Sequence, residues 1–213
     1  MTHSLHRAGT AANLQNDFVV FAISAQTVNA KGSAAKFARF FEIVSRYNPV
    51  NMGDMKTGNI FSAGKEAIQK GFQDNSIVHA VFTDKEILPK VFKELRDADL
   101  GPSIVVSGLL HDVNEGCEAA GIKRHTIEHS LGVWGRTEKL PSQGILEVAT
   151  MCGHGMVAFN LVKEMIDQIQ GGRKTPREAA LELARQCHCG IVNPVRAEQL
   201  LKALAARGRH EVA

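Results

Sequence analysis

Apolar positions along the chain fall into two periods. Phe18 to Ser24 (FVVFAIS) is a short, nearly continuous apolar run rich in β-branched and aromatic residues, the pattern of a strand covered on both faces. Ile77 to Phe82 and Ile104 to Leu110 repeat it. Between these runs the period lengthens. Phe37, Phe40, Phe41 and Val44 recur at i, i+3, i+4 and i+7, as do Leu88, Val91, Phe92 and Leu95, which predicts amphipathic helices. Strands alternating with such helices imply right-handed crossovers and a mainly parallel sheet. From Asn48 to Lys65, glycines and Asn48-Pro49 break any long period. That stretch reads as a loop with room for a short strand, leading into a helix near Lys65 to Gly71.

Beyond Trp134 the helical period dominates. Ile145 to Thr150 reads as one further short strand. Phe159, Val162, Met165, Ile166 and Ile169 then share one helical face that ends at Gly171-Gly172. Thr175-Pro176-Arg177-Glu178 combines an N-cap, proline at the first helical position and glutamate three residues after the cap. This is a capping box that satisfies two orphan backbone donors. Asn193-Pro194 opens another helix with Ala197, Leu200, Leu201 and Leu204 as its stripe. The expected fold is therefore α/β: a mainly parallel sheet with crossover helices, followed by a small helical C-terminal region. Residues 1–16 read as a flexible arm, 17–135 as the α/β domain and 136–213 as the helical region.

Composition narrows the function classes. The chain has 213 residues and 44% apolar content, enough for a buried core. Its 25 basic and 22 acidic residues are dispersed, with no basic run to track a phosphate backbone, so nucleic acid is not an expected partner. No window is apolar enough to span a membrane, and the N-terminus lacks a signal-peptide core; a cytoplasmic location is expected. A reducing compartment disfavours structural disulfides, so the four cysteines read better as ligands or catalytic thiols.

Two Gly-flanked turns carry most of that chemistry: Met151-Cys152-Gly153-His154-Gly155 and Cys187-His188-Cys189-Gly190. Glycine lets the backbone fold tightly around an ion, and amides at a helix start lower a thiol's pKa toward the metal-binding thiolate. A helical hairpin between the turns would bring them together. Cys152, Cys187 and Cys189 could then hold a [4Fe–4S] cluster with one iron open or completed by Cys117 or His154. Alternatively, Cys152, His154, Cys187 and Cys189 could form a tetrahedral zinc site. Both ligand pairs have a single intervening residue, which strains chelation of one small ion and favours the cluster. The expected function is an iron–sulfur or metal-dependent enzyme acting on a small polar metabolite, with lyase-type chemistry (elimination, hydration or sulfur removal) at an open metal position. His154, His111 and His125 are the candidate acid/base residues. A homo-oligomer is compatible with this picture. So is a non-catalytic binding protein whose C-terminal helices are stapled by zinc or a cluster.

The pentapeptide Met151 to Gly155 also resembles the segment around one catalytic cysteine of the proline racemase family. That resemblance implies Cys152 as a general acid/base at a substrate's α-carbon in a cofactor-independent racemase or epimerase. It covers five residues only. The family's second cysteine lies much further along in another motif, so the resemblance assigns Cys152 no partner.

Other motifs fail on context. A Walker-A reading needs four residues between Gly58 and Gly64-Lys65 and finds five. Gly153 to Ala158 fits G-x-G-x-x-A, but a second helix, not a strand with an acidic ribose ligand, follows. His125 to His129 matches H-x-x-E-H, the inverted zinc-protease signature, which requires a helix. Here His125, Ile127, His129, Leu131 and Val133 alternate with polar or small residues, the period of a strand, which sets the two histidines about 13 Å apart. His111-Asp112, after the third strand, pairs an imidazole with a carboxylate; the alternative is that Asp112 caps a helix through Cys117. Trp134 reads as a packing anchor.

Overall fold

A computed structural model describes residues 7–207. Five strands form one sheet in the order β3-β2-β4-β1-β5: β1 (Phe18–Ile23), β2 (Asn51–Asp54), β3 (Gly58–Asn59), β4 (Ile77–Phe82) and β5 (Ser103–Ser107). Every neighbouring pair is antiparallel. The expected mainly parallel sheet is thus incorrect. The reason is interleaving. Helix α2 (Ser33–Ser45) joins β1 to β2, and α4 (Leu88–Ala98) joins β4 to β5. Each crossover connects strands that run the same way, as β-α-β reasoning requires. However, β4 inserts between β1 and β2, while β1 inserts between β4 and β5, so like-directed strands never touch.

The central strand explains its own composition. Along β1, Phe18, Val20 and Ala22 enter one core while Val19 and Phe21 enter the other. The first core receives α2, α4, Ile68 of α3 (Lys65–Gly71), and Val113 and Cys117 of α5 (Leu110–Ala119). The opposite core receives α6 (Gln143–Ala149), α7 (Phe159–Gln170), α8 (Pro176–Gln186) and α9 (Pro194–Ala206). The C-terminal helices therefore cover one sheet face and seat the cysteine turns against it.

Three local expectations change. Ile145 to Thr150 is not a strand: Ile145, Val148 and Ala149 are buried at helical spacing in α6, which also removes the strand a dinucleotide fingerprint would follow. Residues 122–134 form neither strand nor helix, and Trp134 is exposed instead of anchoring packing. Asp112 lies within the first turn of α5, whose N-cap is Leu109, and its carboxylate faces Lys85 Nζ at 3.4 Å.

Residues 1–6 of the expected arm lie outside the described residues, as do 208–213 of the helical region. From Arg7 onward the arm is tied down. It forms the short helix α1 (Ala11–Leu14), and Arg7 and Arg196 both bind the buried Asp17, the latter at 3.0 Å. Arg196 also donates to Ala8 O at 2.7 Å and Asn13 Oδ1 at 2.9 Å.

Candidate metal and thiol centre

The two cysteine turns do converge. Helix α6 ends at Thr150, whose hydroxyl accepts a hydrogen bond from Ala8 N at 2.9 Å, and the Cys152 turn follows. The second turn lies between α8 and α9, which the capping box at Thr175/Glu178 and the Asn193 cap delimit as their sequence signatures require. Cys152, Cys187 and Cys189 are all buried in the same core. Cys187 Sγ and Cys189 Sγ are 3.7 Å apart, and Cys189 Sγ lies 3.8 Å from His154 Nδ1. Cys152 lies close enough to Cys187 for the two thiols to perturb each other's ionisation.

What holds the second turn in place was not legible in the sequence. Asn59, fully buried on β3, donates through Nδ2 to Cys187 O at 2.8 Å, Ala184 O at 3.1 Å and Arg185 O at 3.3 Å. Its Oδ1 accepts from Phe61 N at 2.8 Å and Ser62 N at 3.1 Å. Asn51 on β2 donates to Val192 O at 2.9 Å on the far side of the turn. Between them the two backbones touch. A Cβ on Gly53 would stand 2.6 Å from Cys189 O, and one on Gly190, at φ +76°, would stand 2.6 Å from the Met52 carbonyl. The stretch from Asn48 to Lys65 thus contains the hairpin that seats the cysteine turn. Its signal in the sequence, two asparagines and a glycine, is common to any loop.

Electrostatics couple the thiols. The hydrogen bond to Cys187 raises the Cys152 pKa most, with burial adding to it, so Cys152 acts as the donor and keeps its proton. For Cys187 that same bond lowers the pKa, but its bond to Cys189 and its burial outweigh this and push it up to about 12. At rest Cys152 and Cys187 are therefore poor nucleophiles. An open cavity of about 560 Å³ adjoins the centre, lined by Cys152, Gly153 and Gly155 and by Val157, Ala158 and Phe159 at the entry to α7.

The other candidates stand apart. Cys117 packs in the core on the opposite face of the sheet, so its sulfur does not join the three. His111, on α5 of that same face, is exposed and pairs with Glu115 at 3.2 Å. His125 lies exposed in the irregular segment with its ring against Thr126 Oγ1. Among the described residues, no group of three or more His, Cys, Asp or Glu is already arranged to hold an ion, and no helix is long and apolar enough to cross a membrane. The sulfur contacts run in sequence, Cys187 to Cys189 to His154, and not around a centre. No family model, curated protein or solved structure matches the chain.

Proposed function

We propose that the chain is a metal-dependent enzyme in which Cys152, Cys187 and Cys189 hold a soft cation beside a substrate cavity, with His154 as a further ligand or proton carrier. The observation that carries this reading is the close run of buried sulfurs opening onto the cavity through Cys152. Crowded buried thiols oppose one another's ionisation, and a cation replacing their protons removes that penalty. Spacing favours one ion. Two sulfurs on a single tetrahedral ion at about 2.3 Å each stand about 3.8 Å apart, close to the 3.7 Å between Cys187 and Cys189. Thiolates of a [4Fe–4S] cluster each bind a different iron and stand farther apart, so a zinc-type ion is the better fit. Closing the ligands around one point requires the exposed turn Gly153 to Gly155 to move inward, and the two glycines allow it.

Such an ion, when bound, would supply a Lewis acid for a hydroxyl, carboxylate or sulfur of the substrate, in line with lyase-type chemistry. The cavity walls favour a small substrate with an apolar portion next to its reacting group. His154, exposed and adjacent to Cys189, can carry a proton between solvent and the centre. A reducing cytoplasm, where we place the protein, keeps the thiols available.

Cobalt(II), added anaerobically to the reduced protein, tests this. One equivalent should bind and give the near-ultraviolet sulfur-to-cobalt absorption. Cys187→Ser or Cys189→Ser should weaken binding by at least about tenfold, while Cys117→Ser should leave it unchanged. Stoichiometric iron and inorganic sulfide in anaerobically isolated protein would replace the single ion with the cluster. Failure to bind cobalt, zinc or iron tightly would sink both.

A further inference from the structure

Two consecutive residues of the N-terminal arm reach the flanks of both thiol-bearing turns. Arg7 donates through Nη2 to the carbonyl of Ile191, two residues after Cys189. Ala8 donates through its backbone N to Thr150 Oγ1 at 2.9 Å, two residues before Cys152. The Ala8 carbonyl in turn accepts from Arg196 Nη2 at 2.7 Å, in the first turn of α9, the helix that leaves the second cysteine turn. Asn51 and Asn59 seat that second turn on the sheet, but their bonds end on residues 184–192. The Arg7-Ala8 peptide spans from one turn to the other.

Arg7 is more than its ion pair needs. Its side chain is 5% exposed and shares one carboxylate, Asp17, with the buried Arg196. Two guanidinium groups on one buried carboxylate are costly, because the second finds no counter-charge of its own there. The Nε of each is buried with no acceptor among the described residues. Burial lowers the Arg196 pKa; Asp17 and, more weakly, Glu147 oppose this, while the Arg7 charge adds to it. Arg196 alone would balance Asp17, so charge gives no reason for Arg7 to be buried beside it. The bond to Ile191 does.

We infer that Arg7 and Ala8 form a clasp across the two thiol turns, with Arg7 as a positioning residue that sets how far Cys152 stands from Cys187 and Cys189. This role rests on the metal reading for the cation it serves, whereas the clasp itself belongs to the metal-free chain. With the clasp open, each turn keeps its own hydrogen bonds but the sulfurs drift apart. A soft cation must then spend part of its binding energy on gathering them, which is the cost that preorganisation avoids.

Arg7→Met keeps the length of the side chain and removes its charge and donors; Thr150→Val removes the acceptor for Ala8 in nearly the same shape. With the urea midpoint near wild type, Arg7→Met should weaken anaerobic cobalt(II) binding by about tenfold. Arg7→Lys should recover part of that loss by reaching Ile191 O. Thr150→Val should act like Arg7→Met, and the two losses should not multiply in the double variant, because a clasp opened at either end no longer joins the turns. In metal-free protein, Arg7→Met should speed iodoacetamide labelling of Cys152 and Cys189 and leave Cys117, across the sheet, at the wild-type rate. Wild-type protein that binds no cobalt would sink the metal reading and leave the labelling pattern to decide on the clasp. The clasp is overturned by wild-type labelling in Arg7→Met, by labelling that rises equally at Cys117, by a lysine variant no better than the methionine one, or by losses that multiply.

Discussion

Asn59 shows how much of the centre depends on one amide. Its two Nδ2 hydrogens serve three carbonyls at the end of α8, while Oδ1 takes two amides of its own loop. Asn59→Ala removes all five contacts in a buried site and should cost about 2–4 kcal/mol in urea unfolding. Asn59→Asp keeps the acceptor and loses the donors. In folded protein, both variants should also speed alkylation of Cys187; unchanged labelling would show that the turn holds itself. At this scale the sequence was partly legible. Gly-flanked cysteines at 152, 187 and 189 stand out by residue type alone. Asn59 and Gly53 do not, because their roles are defined only by a chain segment more than a hundred residues away that comes to rest on them.

At the scale of elements, capping shows the same division. α8 carries its cap in its own sequence, and Thr175 and Glu178 satisfy each other's backbone donors as expected. α2 has none. Its N-cap is Gly32, and Asp74, from the turn before β4, accepts from Gly32 N at 2.9 Å and Ala34 N at 3.0 Å. Those two amides hold the Asp74 carboxyl below its usual value. The sign follows: the folded value lies below the unfolded one, so the contribution is present above about pH 4 and is lost as pH falls through the folded value. Asp74→Asn should therefore lower the neutral plateau while leaving stability at the acid end near wild type, which flattens the acid side of the denaturation profile. A parallel acid limb in both proteins would remove Asp74 from that role. Helix positions from 37 to 44 and from 88 to 95 were readable because an amphipathic stripe is local. The strand misreading at 145 to 150 came from β-branched residues in a run too short to separate the two periods.

For the whole molecule, the N-terminal segment is a structural tie. Asp17 binds the side chains of both Arg7 and Arg196, all three buried, and the arm they hold also supplies Ala8 N to Thr150 and Asn13 Nδ2 to Glu147, both on the path into the Cys152 turn. Asp17→Asn leaves two buried guanidinium groups without their counter-charge and should destabilise the fold by about 3–5 kcal/mol, read as a lowered urea midpoint. A loss under about 1 kcal/mol would mean that water reaches the pair. By itself the sequence determined most of the elements, the two-faced burial of β1, the helix caps at 175 and 193, and the thiol-bearing turns, because each rests on residues within a few positions of one another. Only the tertiary structure decided the antiparallel order of the sheet, the separation of Cys117 from the other three sulfurs, and the seating of the Cys187 turn on Asn51, Gly53 and Asn59. Those features depend on which strand slips between which, and strand insertion is governed by contacts distant in sequence that no local period encodes.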